Sequence, residues 1–216
     1  MTEPKLPLSC PVFPLPNCVL FPKVLLPLRI FEPRYKVMLE QVLDSQGWMA
    51  VGMWQSPKRE YDTAGNPDVF PVAGLGKLVN YQKAKDGTYK IVLIGEHRVM
   101  IKDWVQIKPY PIATLDRISE LEPQDAQRDD IRGRLRERLR KLVGSSVDEQ
   151  VLMLFEQSIK ESEEIGPLVD SIGYHFLSDP FEKQALLEIA HAVEREEKLI
   201  RALQKQRFGD EDDPQM

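Results

Sequence analysis

An α+β fold is predicted for this chain of 216 residues: a small barrel-like sheet carrying one short helix, followed by a bundle of four helices. Three observations predict it. Up to about residue 120 prolines are dense and apolar residues tend to alternate, whereas beyond it prolines thin out and apolar residues recur at helical spacing. Asp86-Gly87 separates two alternating runs, a strong short-range hairpin signal. Helix starts punctuate the second half: Ser146 with Glu149, Pro167, and Asp179-Pro180 with Glu182. The expected organisation is a barrel over 1–119, a helical bundle over 120–209 and a disordered acidic tail over 210–216.

The run Val24 to Phe31, "VLLPLRIF", is β-like, but Pro27 cannot donate to a ladder, so this strand belongs at an edge or carries a bulge. Pro33 then suits a first helical turn. Tyr35, Met38, Leu39, Val42 and Leu43 follow at the spacing of one buried helix face. "WMAVGMW", Trp48 to Trp54, reads as a strand, and the polar stretch 55–68 as a long exposed loop. Around Asp86-Gly87, "VFPVAGLGKLVNYQKA" and "TYKIVLIG" form a hairpin with a type I′ turn. In "HRVMIKDWVQI", Val99, Ile101, Val105 and Ile107 share one parity; Arg98, Lys102, Trp104 and Gln106 share the other. "YPIATL" completes six or so strands, consistent with a small barrel. The helical half carries the stripe Ile131, Leu135, Leu139 and Leu142, then Leu168, Val169, Ile172 and Phe176. A last helix of about 27 residues, ~40 Å at 1.5 Å per residue, bears Leu186, Ile189, Ala190, Val193, Ile200 and Leu203 and ends at Gly209.

Composition excludes several classes. Hydrophobic residues make up 42% and charged residues 29%, the balance of an ordinary globular protein. Residues 1–119 carry 15 Lys/Arg against 11 Asp/Glu, and residues 120–216 carry 14 against 23. Neither half has the one-signed excess of a nucleic-acid-binding domain. Cys10 and Cys18 lack the spacing and number of a zinc site and read as two thiols of a reducing compartment. No apolar run approaches the ~20 residues of a spanning helix, and "MTEPKLPLSCPVFPLP" is no signal peptide. A cytoplasmic location is expected.

The catalytic inventory is close to empty. The only Gly-Lys pair, Gly76-Lys77, precedes Leu78 rather than Ser or Thr, so there is no Walker A loop. "GLGKLV" lacks the third glycine of a dinucleotide fingerprint, and its glycines are taken as strand curvature. His97, His175 and His191 lie on different elements without metal-ligand spacing. The pairs Glu163-Glu164 and Glu196-Glu197 are placed on solvated helix surfaces. No catalytic, cofactor or metal site is expected, and no cofactor. Two features bear on binding. The 128–141 helix carries seven Lys/Arg, which neighbouring acidic helices are expected to neutralise. Phe13, Phe21, Phe31, Met49, Met53, Trp54 and Phe70 either fill the barrel or leave a patch for extended peptides.

The stretch "PVFPLPNCVLFPKVLLPLRIFEPRYKVMLEQVL" resembles the opening of the Lon protease N-terminal, substrate-binding domain family. Its counterparts of the family's motifs are Pro11 to Pro16, Leu20 to Lys23 and Leu26 to Tyr35, with Lys23 standing where the family usually has glycine. "VAGLGKLVNYQKAKDGTYKIVLIGEHRVMI" and "DPFEKQALLEIAHAVEREEKLIRAL" resemble its later segments. The resemblance implies an N-terminal PUA-like β pseudo-barrel with one short helix and a C-terminal helical bundle. It also implies a stand-alone protein of that family, since the chain leaves no room for the ATPase and protease modules.

Phe31, Glu32, Arg34 and Tyr35 are signature residues read as structural, with Phe31 and Tyr35 anchoring the strand–helix junction in the core. The expected function is non-enzymatic recognition of extended or unfolded polypeptide, as an adaptor for proteolysis or a weak holdase. The barrel face and its groove against the bundle, bordered by 55–68, are the expected surface. Trp54 and Tyr61 are the candidate contacts, because aromatics dominate binding hot spots. A protease or chaperone and a second copy of the chain are the further partners expected; a membrane is not. The competing reading is RNA binding through the basic 128–141 helix.

Overall fold

The computed structural model describes residue 7 and residues 9–56, 59–143 and 149–208. The chain forms two compact units that part after Ile118. In the first, six strands make one mixed sheet in the order β2-β5-β4-β3-β1-β6. They are β1 (Ser9–Leu15), β2 (Leu25–Ile30), β3 (Trp48–Met53), β4 (Val72–Lys83), β5 (Tyr89–Gln106) and β6 (Ile112–Arg117), with helix α1 (Pro33–Leu43) between β2 and β3. An additional β5–β6 pairing makes the circuit β5-β4-β3-β1-β6 return to β5. Only β1 and β3 run parallel.

The prolines sit where the ladder does not need their missing N–H. β2 is the terminal strand, with Pro27 opposite Val92 of β5, the edge placement its sequence demands. β1 did not stand out in the sequence because Pro11 and Pro14 interrupt it. Its residues 9–11 pair with β6 and its residues 12–15 with β3, so each half has a strand on one side only. β3 is buried along its whole length, which is why it reads as a continuous apolar run. Trp48 and Ala50 pack with Cys10, Val12, Leu75 and Val99 in a core cluster that Trp104 also joins.

Three local expectations are corrected. The glycines of "GLGKLV" serve close approach rather than curvature alone. A Cβ on Gly74 would lie 1.9 Å from the Leu20 carbonyl oxygen, and one on Gly95 would lie 1.9 Å from that of Phe21. The segment before β2 therefore lies directly on the β4–β5 backbone, with Leu20 and Phe21 fully buried. Lys23 ends it with φ +61°, a left-handed conformation normally left to glycine, while its N–H donates to the Gly95 carbonyl at 2.7 Å. The Asp86-Gly87 turn is not type I′, because only Gly87 has positive φ. Gly87 N–H donates to Ala84 O and Ala84 N–H to Thr88 O, a three-residue loop with glycine in the left-handed position. The Asp86 carboxylate fixes it by accepting from Thr88 N–H and Oγ1, and these bonds hold its pKa below the ordinary range. Finally, 89–106 is one strand whose parity breaks at register shifts opposite Leu75/Gly76 and Leu78/Asn80 of β4 and, against β6, between Ile101 and Trp104 and between Trp104 and Gln106. Arg98 is buried, Trp104 packs inward and Val105 is 61% exposed, the reverse of simple alternation.

The second unit contains α2 (Asp125–Val143), α3 (Glu149–Glu161), α4 (Ile165–Phe176), α5 (Pro180–Leu187) and α6 (Ala192–Phe208). The single long last helix expected from the sequence is thus two helices. Leu121 bridges to His191, donates to Ala190 O and accepts from Ala192 N–H, satisfying the backbone where the helix breaks. Restarting at Ala192 turns the buried face to Ala192, Arg195, Glu196, Leu199, Ala202 and Leu203, in place of Val193 and Ile200. Glu196 is consequently fully buried rather than on a solvated surface. Its carboxylate accepts from Arg134 Nε at 3.2 Å and Nη2 at 3.0 Å. Beside it Arg195, also fully buried, meets Glu120 at 2.7 Å and Asp170 at 3.1 Å and donates to the Ile189 carbonyl at 2.6 Å. Glu122 caps α4 from a distance, accepting from the N–H groups of Ile165 and Gly166. Ile131, Leu135 and Leu139 are buried as their stripe predicts. The Leu142 side chain, the Ser146 cap, Gly209 and the acidic tail lie outside the described residues.

Candidate functional site

Where β2 passes into α1, the first unit has a cleft of about 560 Å³. Its walls come from three stretches the sequence already marks: the end of β1 with Pro14, Leu15 and Pro16; the β2–α1 junction; and the turn after β3 with Trp54. All four signature residues, Phe31, Glu32, Arg34 and Tyr35, line it together with Trp54.

Their roles differ. Tyr35 is buried against Phe13, with ring centroids 4.7 Å apart, and Arg34 lies over the Tyr35 ring at 4.6 Å. Burial holds the Tyr35 phenol proton well above the ordinary tyrosine range, although Arg34 pulls the other way. Arg34 Nε donates to Glu32 at 2.9 Å and Nη1 to the Tyr61 hydroxyl at 3.3 Å, while Glu60 stands 3.8 Å from Nη2. Glu32, Arg34 and Tyr35 thus contact one another at the junction. Phe31 does not anchor the core as expected: it is 62% exposed and lies at the cleft, whereas Ile30 is buried. The pleat explains this, since Leu26 and Ile30 face inward and Leu25, Pro27, Arg29 and Phe31 outward.

Trp54 is half-buried; its N–H donates to Leu15 O and it bridges to Val69. Tyr61 does not line the cleft but supports it through Arg34. The 55–68 stretch is not simply exposed. Tyr61 bridges to Pro67, Asp68 is buried, and Arg59 pairs with Asp68 at 2.8 Å. Asp62 closes its turn by accepting from Ala64 and Asn66 N–H groups, and the Asn66 backbone bond leads in lowering its pKa. Of the seven large apolar residues read as barrel filling or as a patch, Phe13, Phe21, Met49 and Met53 are buried and Phe70 half-buried. Phe31 and Trp54 remain at the cleft.

The chemistry on offer is that of contact. Each arginine of the cleft faces a carboxylate: Arg29 with Asp86 at 3.1 Å, Arg34 with Glu32 and Arg59 with Asp68. Among the described residues the lining holds no histidine, cysteine or lysine. Among the described residues no group of three His, Cys, Asp or Glu side chains could hold a metal ion, and no helix is long and apolar enough to cross a membrane. Five of the seven cations of α2 face carboxylates: Arg128 pairs with Asp125, Arg132 with Asp129, Arg134 with Asp130 and Glu196, Arg140 with Glu156, and Lys141 with Glu137.

Residues 9–205 match the family model of the ATP-dependent protease La (LON) substrate-binding domain. The Lon protease of Desulfosudis oleivorans is 27% identical over 206 residues, covering 95% of this chain and 25% of that protein. Lon protease 1 of Bdellovibrio bacteriovorus is 27% identical over 205 residues, covering 90% of this chain and 24% of that protein. The chain therefore spans about a quarter of the length of these curated relatives. Among solved structures, the N-terminal domain of the Mycobacterium avium complex Lon protease superposes with TM-score 0.69 at 16% identity, covering 90% of this chain and 97% of that one. The Lon N-terminal domain protein from Xanthomonas campestris does so with TM-score 0.62 at 17% identity, covering 89% and 97%. These two share the fold.

Proposed function

Since the chain belongs to the Lon substrate-binding domain family, we propose that it is a non-enzymatic module that binds extended or unfolded polypeptide, serving proteolysis as an adaptor or acting as a weak holdase. The observation that carries this reading is the cleft at the β2–α1 junction, where Phe31 and Trp54 stay accessible while every arginine of the lining is engaged by a carboxylate. Such a surface holds apolar side chains through contact area and lacks uncommitted charge for an anionic ligand. The returning circuit of strands supports a PUA-like pseudo-barrel for the first unit. The two cysteine thiols support a cytoplasmic setting. A protease or chaperone partner and self-association belong to the same reading.

The test is fluorescence anisotropy against a labelled, permanently unfolded polypeptide, from low to high salt. Binding should survive high salt and weaken about 5- to 30-fold in each of Phe31→Ala and Trp54→Ala, as befits hot-spot side chains worth about 1–2 kcal/mol. Binding abolished by salt would transfer the function to phosphate contacts on α2 and RNA. The ion pairs along α2 argue against that outcome.

A further inference from the structure

β4 is twelve residues long and β3 six, and the mismatch leaves a backbone edge open. β3 pairs with β4 only over Gly74 to Lys77, while β5 follows β4 to Lys83. Leu78 N–H donates to Gly47 O at 2.8 Å, and beyond that no strand among the described residues pairs with the outer side of Val79 to Lys83. Exposed edges usually carry charges or prolines that repel a further strand. This one carries Val79 and Tyr81, each 53% exposed, with a register shift between Leu78 and Asn80 and with charge only at its end, at Lys83.

Alongside it runs a groove of about 290 Å³ between β4 and the end of α1, where Leu43, Leu78, Val79 and Tyr81 alternate with the polar Ser45, Gln46 and Asn80. The turn at its far end is basic. Lys83 and Lys85 are exposed there with Lys90 across the ladder, while Asp86 is engaged by Arg29.

We infer that the outer edge of β4 from Val79 to Lys83 binds an extended polypeptide as an added strand. Its main chain completes the ladder, alternate apolar side chains enter the groove beside Leu43 and Tyr81, and an acidic residue meets the lysines of the turn. Main-chain pairing gives affinity that tolerates many sequences, and the groove selects among side chains. This inference rests on the polypeptide-binding reading and deepens it: the bound segment is one able to form a β-strand, held by its backbone.

Two measurements test it. The first is hydrogen exchange of the whole chain with and without the unfolded polypeptide used above. The second is binding of a labelled peptide of alternating valine and threonine ending in glutamate, compared with the same peptide N-methylated at every residue. Residues 79–83 should gain protection, and N-methylation should weaken binding about 10-fold or more, because it removes the donors of both peptide edges. If the polypeptide binds but 79–83 gain no protection, or both peptides bind alike, the β4 inference falls and the cleft reading stands. If neither polypeptide nor peptide binds, both fall.

Discussion

Replacing Arg195 with methionine should remove a large part of the second unit's stability. Methionine keeps much of the side-chain length and removes the charge. Arg195 is fully buried, as is Asp170 at 3.1 Å, and Glu120 at 2.7 Å is 25% exposed. Without the guanidinium, Asp170 is a buried anion that has lost the cation 3.1 Å away, and the Ile189 carbonyl loses a donor at the break between α5 and α6. Stranding one partner of a buried ion pair costs about 3–5 kcal/mol, a large fraction of the roughly 5–15 kcal/mol that holds a domain folded. At ~2 kcal/mol per molar of urea the midpoint should fall by about 2 M. Urea unfolding followed by circular dichroism reads this directly. The decisive comparison is the double variant Arg195→Met with Asp170→Asn, which removes the stranded charge and should recover about 2 kcal/mol of the loss. A single variant within about 1 kcal/mol of the parent, the level of an exposed pair, would refute the account. So would a double variant no more stable than the single one.

Two further outcomes follow from the packing and the titration behaviour. Gly74→Ala should destabilise by about 3 kcal/mol or more because its Cβ meets the Leu20 carbonyl at 1.9 Å, while Gly133→Ala, with nothing within 4 Å, should stabilise by about 0.5–1 kcal/mol; paired thermal melts would show opposite signs. Burial pushes the Cys10 thiol from 9.0 up to about 12, so the folded state holds this proton more tightly than the unfolded chain. Its contribution is complete below pH 9 and is lost as pH rises from 9 towards 12, about 4 kcal/mol in all. Cys10→Ala should flatten the onset of alkaline destabilisation near pH 9, and an unchanged onset would count against the assignment.

Much of the fold could be read from local chemistry. Pro27 requires an edge, and β2 is one; the run from Tyr35 to Val42 has a helical face, and that face is buried; Ile131, Leu135 and Leu139 behave likewise. Most of the errors originate in partners remote along the chain; the Asp86-Gly87 turn, settled by bonds among Ala84, Asp86, Gly87 and Thr88, is a local one. Nothing within "GLGKLV" reveals that Leu20 will lie on Gly74. Charge at Arg195, Glu196 and Asp170 signals solvent until α2, α4 and the 120–122 segment supply counter-charges. The signature residues and Trp54 line one cleft while Tyr61, the other candidate contact, does not, and exposure was not legible: Phe31 looks like a core anchor until the pleat of β2 turns it outward. The open edge of β4 has one sequence trace, the length of "VAGLGKLVNYQK" against "WMAVGM", yet only the register shows that pairing with β3 stops at Lys77.

By itself, the sequence determined what propensity and periodicity control: where most of the helices and strands form, where Pro27, Pro33 and Gly87 sit, and the motif that places the chain in its family. Tertiary structure alone decided which carbonyl rests on which glycine, which charges are buried and where the last helix breaks. It also decided which aromatic residues meet solvent. Each of those depends on distances between residues far apart in the chain, and local pattern carries no information about them.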